Sequence, residues 1–101
     1  MNPRQLEQMA RQMQKEMLRI QEELANTNVE GSAGSYVTVT MNGHREVKAI
    51  KLAPEVVDPE DVETLQDLIV AAIDDASKKA QELAEKRLGP LTGGMKMPGM
   101  F

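Results

Sequence analysis

Apolar residues recur at Leu6, Met9, Met13, Met17, Ile20 and Leu24, steps of three and four that keep one face of an α-helix apolar. Asn2 is placed to cap this helix, and Pro3 fits its first turn, where a backbone N–H is not needed. The pattern predicts a helix over 3–25. At 100° per residue the apolar positions occupy an arc of about 80°, and Arg4, Arg11, Lys15 and Arg19 occupy a similar arc on the opposite side. The apolar line is expected to be buried in the fold and its dimer. The basic line faces solvent.

After Asn26, Thr27 and Asn28 the period changes from helical to alternating. Val37, Val39 and Met41 alternate with Thr38 and Thr40, Asn42-Gly43 supplies a turn, and Val47, Ile50 and Leu52 follow, the signature of a hairpin. Three strands are predicted, over about 28–31, 35–41 and 46–52. Val47 and Ile50 stand three apart, so one regular strand cannot aim both at the same face; either a bulge separates them or Ala49 is the inward residue. Helical spacing then returns with Val62, Leu65, Ile69, Ala72, Ala76, Ala80 and Leu83. Asp58 as N-cap, Pro59 in the first turn and Asp61 near the positive helix end predict a start at 59. Gly89-Pro90 predicts a stop after 88. A single domain over 1–89 and a flexible tail over 90–101 follow, the tail being too rich in Gly and Pro for regular structure.

The expected fold is α+β: two layers in the order α-β-β-β-α, with a three-stranded antiparallel sheet and two long helices. Helices of this length measure roughly 35 and 45 Å, whereas strands of about six residues cover only about 20 Å. The apolar seams outrun the sheet. A symmetric dimer with projecting helix ends is the natural way to cover them.

Composition narrows the chemistry. The 101 residues contain no Cys, which excludes disulfides, thiolate catalysis and cysteine metal sites and fits a reducing compartment. One Phe, one Tyr and no Trp leave no aromatic platform for single-stranded nucleic acid. No apolar run reaches the roughly 18 to 20 residues of a membrane span, so a soluble, cytoplasmic protein is expected. The net charge of −4 is unevenly spread: residues 58–75 hold seven acids and no base, while 76–101 hold five bases and two acids. His44, the sole imidazole, stands beside a turn, where solvation is its ordinary fate. Asp74 and Asp75 diverge by about 100° on a helix and make a poor carboxylate pair. The GSAGS stretch lacks the following helix that a phosphate loop requires. Neither an enzyme, a cofactor, a metal nor a small-molecule substrate is expected.

The segments QMARQMQKEMLRIQEEL, VEGSAGSYVTVTMNGHREVKAI, PEVVDPEDVETLQDLIVAAIDDASKKAQELAEKRLG and GGMKMPGM, in that order and spacing, resemble the YbaB/EbfC family of bacterial nucleoid-associated DNA-binding proteins. Leu52-Ala53 stands where members usually carry Ile-Asp, and Asp74 where Asn is common; neither difference touches a basic residue. The resemblance implies a tweezer-like homodimer in the cytoplasmic nucleoid, whose helical arms contact double-stranded DNA. Carried onto this chain, the contacts are Arg4, Arg11, Lys15 and Arg19 on the first helix and Lys78, Lys79, Lys86 and Arg87 on the last, acting as phosphate clamps. The alternative is a dimeric helical scaffold that grips another protein, with its charges serving solubility. Binding to membranes is disfavoured by the zero net charge of residues 1–27 and the lack of an aromatic anchor.

Overall fold

The structure, a computed structural model, describes residues 2–92, with side chains through residue 89. Its elements are α1 (Pro3–Asn26), β1 (Asn28–Ala33), β2 (Val37–Asn42), β3 (Val47–Leu52), a single 3-10 turn (Pro54–Val56) and α2 (Val62–Thr92). The strands form one antiparallel sheet in the order β1-β2-β3. The α+β arrangement is therefore the one expected from the alternation of periods. The Asn2 side chain accepts the Gln5 N–H at 2.9 Å, capping α1.

The ends of α2 differ from expectation. Asp58 closes a tight turn instead of capping the helix: its side chain accepts the Glu60 N–H at 2.9 Å and its carbonyl the Asp61 N–H at 3.0 Å. Asp61 takes over the cap, accepting from the Thr64 N–H at 3.4 Å, and α2 begins at Val62 rather than 59. At the other end the helix continues through Gly89 and Pro90 to Thr92. Proline denies a donor to the carbonyl four residues before it, and so near a terminus only that one bond is lost. Most of the expected tail, residues 93–101, lies outside the described residues.

In register, Thr40 pairs with Ala49 but Met41 pairs with Val47. Lys48 is the extra residue of a bulge, which restores Val47 and Ile50 to one face; Ala49 turns to the other. That shared face also carries Val37, Val39 and Met41, buried against Ala72, Ala76 and Ala80 of α2. The contact is close because both sides are small. A Cβ on Gly31 would lie 2.6 Å from Ala76 Cα and press on Ala76 N and Ala72 O. The helix crosses β1 and β2 and leaves β3 uncovered, so Val47 and Ile50 remain 45% exposed.

The carbonyls of Gln21 to Ala25, at the end of α1, each accept a bond from a side chain or from the β2–β3 turn, where a helix end leaves its last carbonyls orphaned. His44 Nε2 donates to Gln21 O (2.9 Å), Asn26 Nδ2 to Glu22 O (3.0 Å) and Thr27 Oγ1 to Glu23 O (2.7 Å). Leu24 O accepts from Gly43 N (2.8 Å), and Ala25 O from Asn42 Nδ2 (3.1 Å). Three of these donors belong to the β2–β3 connection. Asn42, only 1% exposed, organises it: its Oδ1 accepts the His44 and Glu46 N–H groups, both at 3.0 Å, and its Nδ2 also reaches Glu46 Oε1 at 2.8 Å. Arg45 completes the connection in the left-handed region, at φ 62°.

Candidate nucleic-acid interface

Beyond this anchor, α1 has little to lean on. Ile20 and Leu24 are buried, but Leu6, Met9, Met13 and Met17 are exposed by 54, 51, 49 and 38%. Burial of the apolar line within the chain thus holds for its last two residues only; the first four project on an arm. Arg4, Arg11, Lys15 and Arg19 line the arm, all exposed, and Lys78, Lys79, Lys86 and Arg87 are exposed on the C-terminal half of α2.

Half of these eight cations are already engaged. Arg11 sits 3.9 Å from Glu7. Arg19 is held by Glu16 and, at 3.1 Å, by Glu23, and the guanidinium hydrogen bond draws the Glu16 pKa below its ordinary value. Arg87 pairs with Glu23 across the two helices, so this carboxylate bridges an expected contact of α1 to one of α2.

Lys79 has a different task. Its Nζ donates to Glu30 O at 3.0 Å and lies 3.2 Å from Asp75 Oδ2. The same Asp75 oxygen accepts the Ser32 N–H at 2.9 Å. These two side chains satisfy two outward-facing backbone groups of β1, which an edge strand otherwise leaves open to pairing. The Ser32 N–H, followed by the Lys79 ammonium, lowers the Asp75 pKa. Among the described residues Arg4, Lys15, Lys78 and Lys86 enter no ion pair, which leaves them available to an outside anion.

Sequence reasoning passed over three further exposed cations, Arg45, Lys48 and Lys51, which among the described residues also enter no ion pair within 4 Å, although the Asn42 amide and then the Lys48 charge lower the Glu46 pKa. They were hidden because residues 28–57 balance at three bases and three acids. The available signal was narrower: β3 itself holds two lysines and no acid. No group of three or more His, Cys, Asp or Glu among the described residues is arranged to hold a metal ion, and no described helix is long and apolar enough to cross a membrane.

Residues 1–95 match the model of the YbaB/EbfC DNA-binding family. The chain belongs to that family. Similar YbaB/EbfC relatives include a nucleoid-associated protein of Roseiflexus sp. (strain RS-1), 90% identical over 99 residues that span 98% of this chain and 99% of the relative. Another is a nucleoid-associated protein of Chloroflexus aurantiacus (strain ATCC 29366 / DSM 635 / J-10-fl), 65% identical over 102 residues and the full length of both. The fold is shared with the crystal structure of the uncharacterized protein HP0035 from Helicobacter pylori, at a TM-score of 0.80 and 24% identity over 92% of this chain and 99% of that one.

Proposed function

We propose that this YbaB/EbfC chain is a nucleoid-associated protein that acts without catalysis, as a homodimer. It binds double-stranded DNA through basic helical arms, mainly by phosphate contacts, alters DNA conformation and contributes to nucleoid organisation or gene regulation. The observation that carries the reading is the α1 arm. It holds four large apolar side chains at 38 to 54% exposure and, on its other side, a line of cations. A second copy would cover the first line, together with the Val47 and Ile50 flank of β3, and leave the second line on the outside. The family's description agrees with DNA as partner, and the names of the relatives with the nucleoid as place. No residue series resembles a recognition helix set to read base edges, so sequence preference would come from DNA shape.

The seven acids of residues 58–75 would face away from the duplex or repel a misdocked one. With six to eight phosphates neutralised per dimer, log K falls against log salt with a slope of about −5 to −7. A mobility-shift titration of the wild type beside Arg11→Glu/Lys15→Glu/Arg19→Glu, with sedimentation of both, tests the reading: a dimer that binds, and a variant dimer that binds far more weakly, are expected. Equal affinities would remove α1 from the interface, and a salt slope near zero would remove phosphate clamping.

The ion pairs of Arg11, Arg19 and Arg87 favour a second reading, a dimeric scaffold that grips another protein without touching DNA. Absence of DNA binding by the wild type in the same titration selects it.

A further inference from the structure

Charge counted element by element separates β3 from the rest. Within α1, four cations meet four carboxylates; α2 carries four cations and six carboxylates through Thr92; β1 holds only Glu30, and β2 no charge. With Lys48 and Lys51 and no acid, β3 is the one element of net positive charge. Arg45 precedes it in the turn.

The two edges of the sheet are equally unlike. Asp75 and Lys79 occupy two backbone groups on the outer side of β1, while among the described residues no strand pairs with the outer side of β3. Arg45 stands at one end of that open edge, in a shallow cleft shared with Gln81, Glu85 and Leu88 of α2, beside the helical turn that bears Lys86 and Arg87. Glu85 in that cleft accepts from Gln81 at 3.3 Å. The acid nearest to Lys48 in sequence, Glu46, is bound at 2.8 Å by the Asn42 amide. Lys51 pairs in register with Thr38, and Thr38 with Ser32, on the sheet face turned away from α2. All three cations are exposed.

Lysines on a sheet edge often serve only to discourage strand pairing. Here the bulge at Lys48 already spoils the edge for that purpose, and Arg45 precedes the strand, beyond its paired residues. Lys48 and Lys51 are three residues apart on β3, roughly 10 Å, comparable to three phosphates along one DNA strand at about 3.4 Å of axis each.

We propose that Arg45, Lys48 and Lys51 form a second phosphate track, which runs from the α2 C-terminal end along the open edge of β3 and takes the backbone of double-stranded DNA. This rests on the DNA-binding reading and adds a contact line outside the two helices. It shares β3 with the dimer flank: Val47 and Ile50 face the α2 side and Lys51 the other, and Lys48 stands at the bulge next to Val47.

The test uses the full chain and a fluorescent 30-base-pair duplex, with anisotropy titrations from about 50 to 300 mM salt. The variant Arg45→Asn/Lys48→Gln/Lys51→Gln keeps a residue tolerant of positive φ at 45. Expected are at least tenfold weaker binding at 100 mM salt and a salt slope shallower by about 2 to 3 for each chain in contact. Arg4→Gln/Lys15→Gln provides the helical comparison. Wild-type affinity and slope in the β3 variant, with a loss in the helical one, overturn the track and leave the helical arms standing. Failure of the wild type to bind overturns both.

Should the β3 variant not fold, amine acetylation of the wild type decides. Mass spectrometry is expected to show Lys48 and Lys51 modified several-fold more slowly when duplex is present. Unchanged rates overturn the proposal.

Discussion

Replacing Gly31 by Ala adds one methyl group where α2 lies on β1. The new Cβ would stand 2.6 Å from Ala76 Cα, against an ordinary contact of at least 3.4 Å, with Ala76 N and Ala72 O pressed as well. All three are backbone atoms, so no side chain can swing away; the helix must retreat by at least about 0.8 Å. A gap of that size forfeits a quarter to a half of each dispersion contact along the seam, where Ala72, Ala76 and Ala80 meet Val37 and Val39. We expect Gly31→Ala to cost about 3 kcal/mol, the upper end for overpacking, and to lower Tm by roughly 12 to 24 °C in a domain of this size. Circular dichroism melts at fixed chain concentration read this directly. Gly89→Ala is the control: among the described residues no atom outside the helix's own backbone and the chain neighbours lies within 4 Å of the Cβ it would gain, and Ala in a helix is preferred over Gly by about 1 kcal/mol, so it should raise Tm. A Gly31→Ala protein that melts within about 2 °C of the wild type would show that α2 is not seated on backbone at this point.

Three other outcomes follow from particular contacts. Asn42→Ala leaves the His44 and Glu46 N–H groups and the Ala25 carbonyl without their partner, and should cost about 2 to 3 kcal/mol in urea denaturation; a loss under 1 kcal/mol would mean that water replaces the amide. The Asp75 pKa is depressed in the fold, so its contribution is present above the unfolded value near pH 4 and is lost as pH falls through the lower folded value. Denaturation midpoints from pH 7 to 2 should therefore converge for wild type and Asp75→Asn at the acid end, and parallel curves would refute the assignment. Lys79→Met should lower stability and leave DNA affinity within twofold, whereas Lys86→Met should weaken binding several-fold at unchanged stability; the reverse pattern would return Lys79 to the interface.

Much of the fold was legible because period is a property of sequence alone. The steps of three and four before Asn26, the alternation of Val37 to Met41 and the return of helical spacing after Asp61 place both helices and β2; β1, expected over about 28–31, runs two residues further to Ala33, and the 3-10 turn at Pro54–Val56 has no such signal. The odd separation of Val47 and Ile50 even announces the bulge at Lys48. Boundaries were less legible, since Asp58 and Asp61 are equivalent acceptors on paper and only the turn geometry assigns one to each task. The cationic candidates could be enumerated but not sorted. That Lys79 serves the edge of β1, 49 residues away in sequence, or that Glu23 joins Arg19 to Arg87, depends on tertiary placement that no local pattern encodes. The same holds for the Met line, whose burial depends on what lies beside it rather than on its spacing.

The anchoring of α1 has a mechanical consequence. From Pro3 to Met17 the helix is a cantilever of about 21 Å, clamped at its base by Asn42, Gly43 and His44. A tilt of 10° at the clamp displaces the free end by nearly 4 Å, about the pitch from one phosphate to the next along the axis. The position of Arg4 is therefore governed by a strand connection far from it, and substitutions at the clamp are felt chiefly as misalignment at the tip.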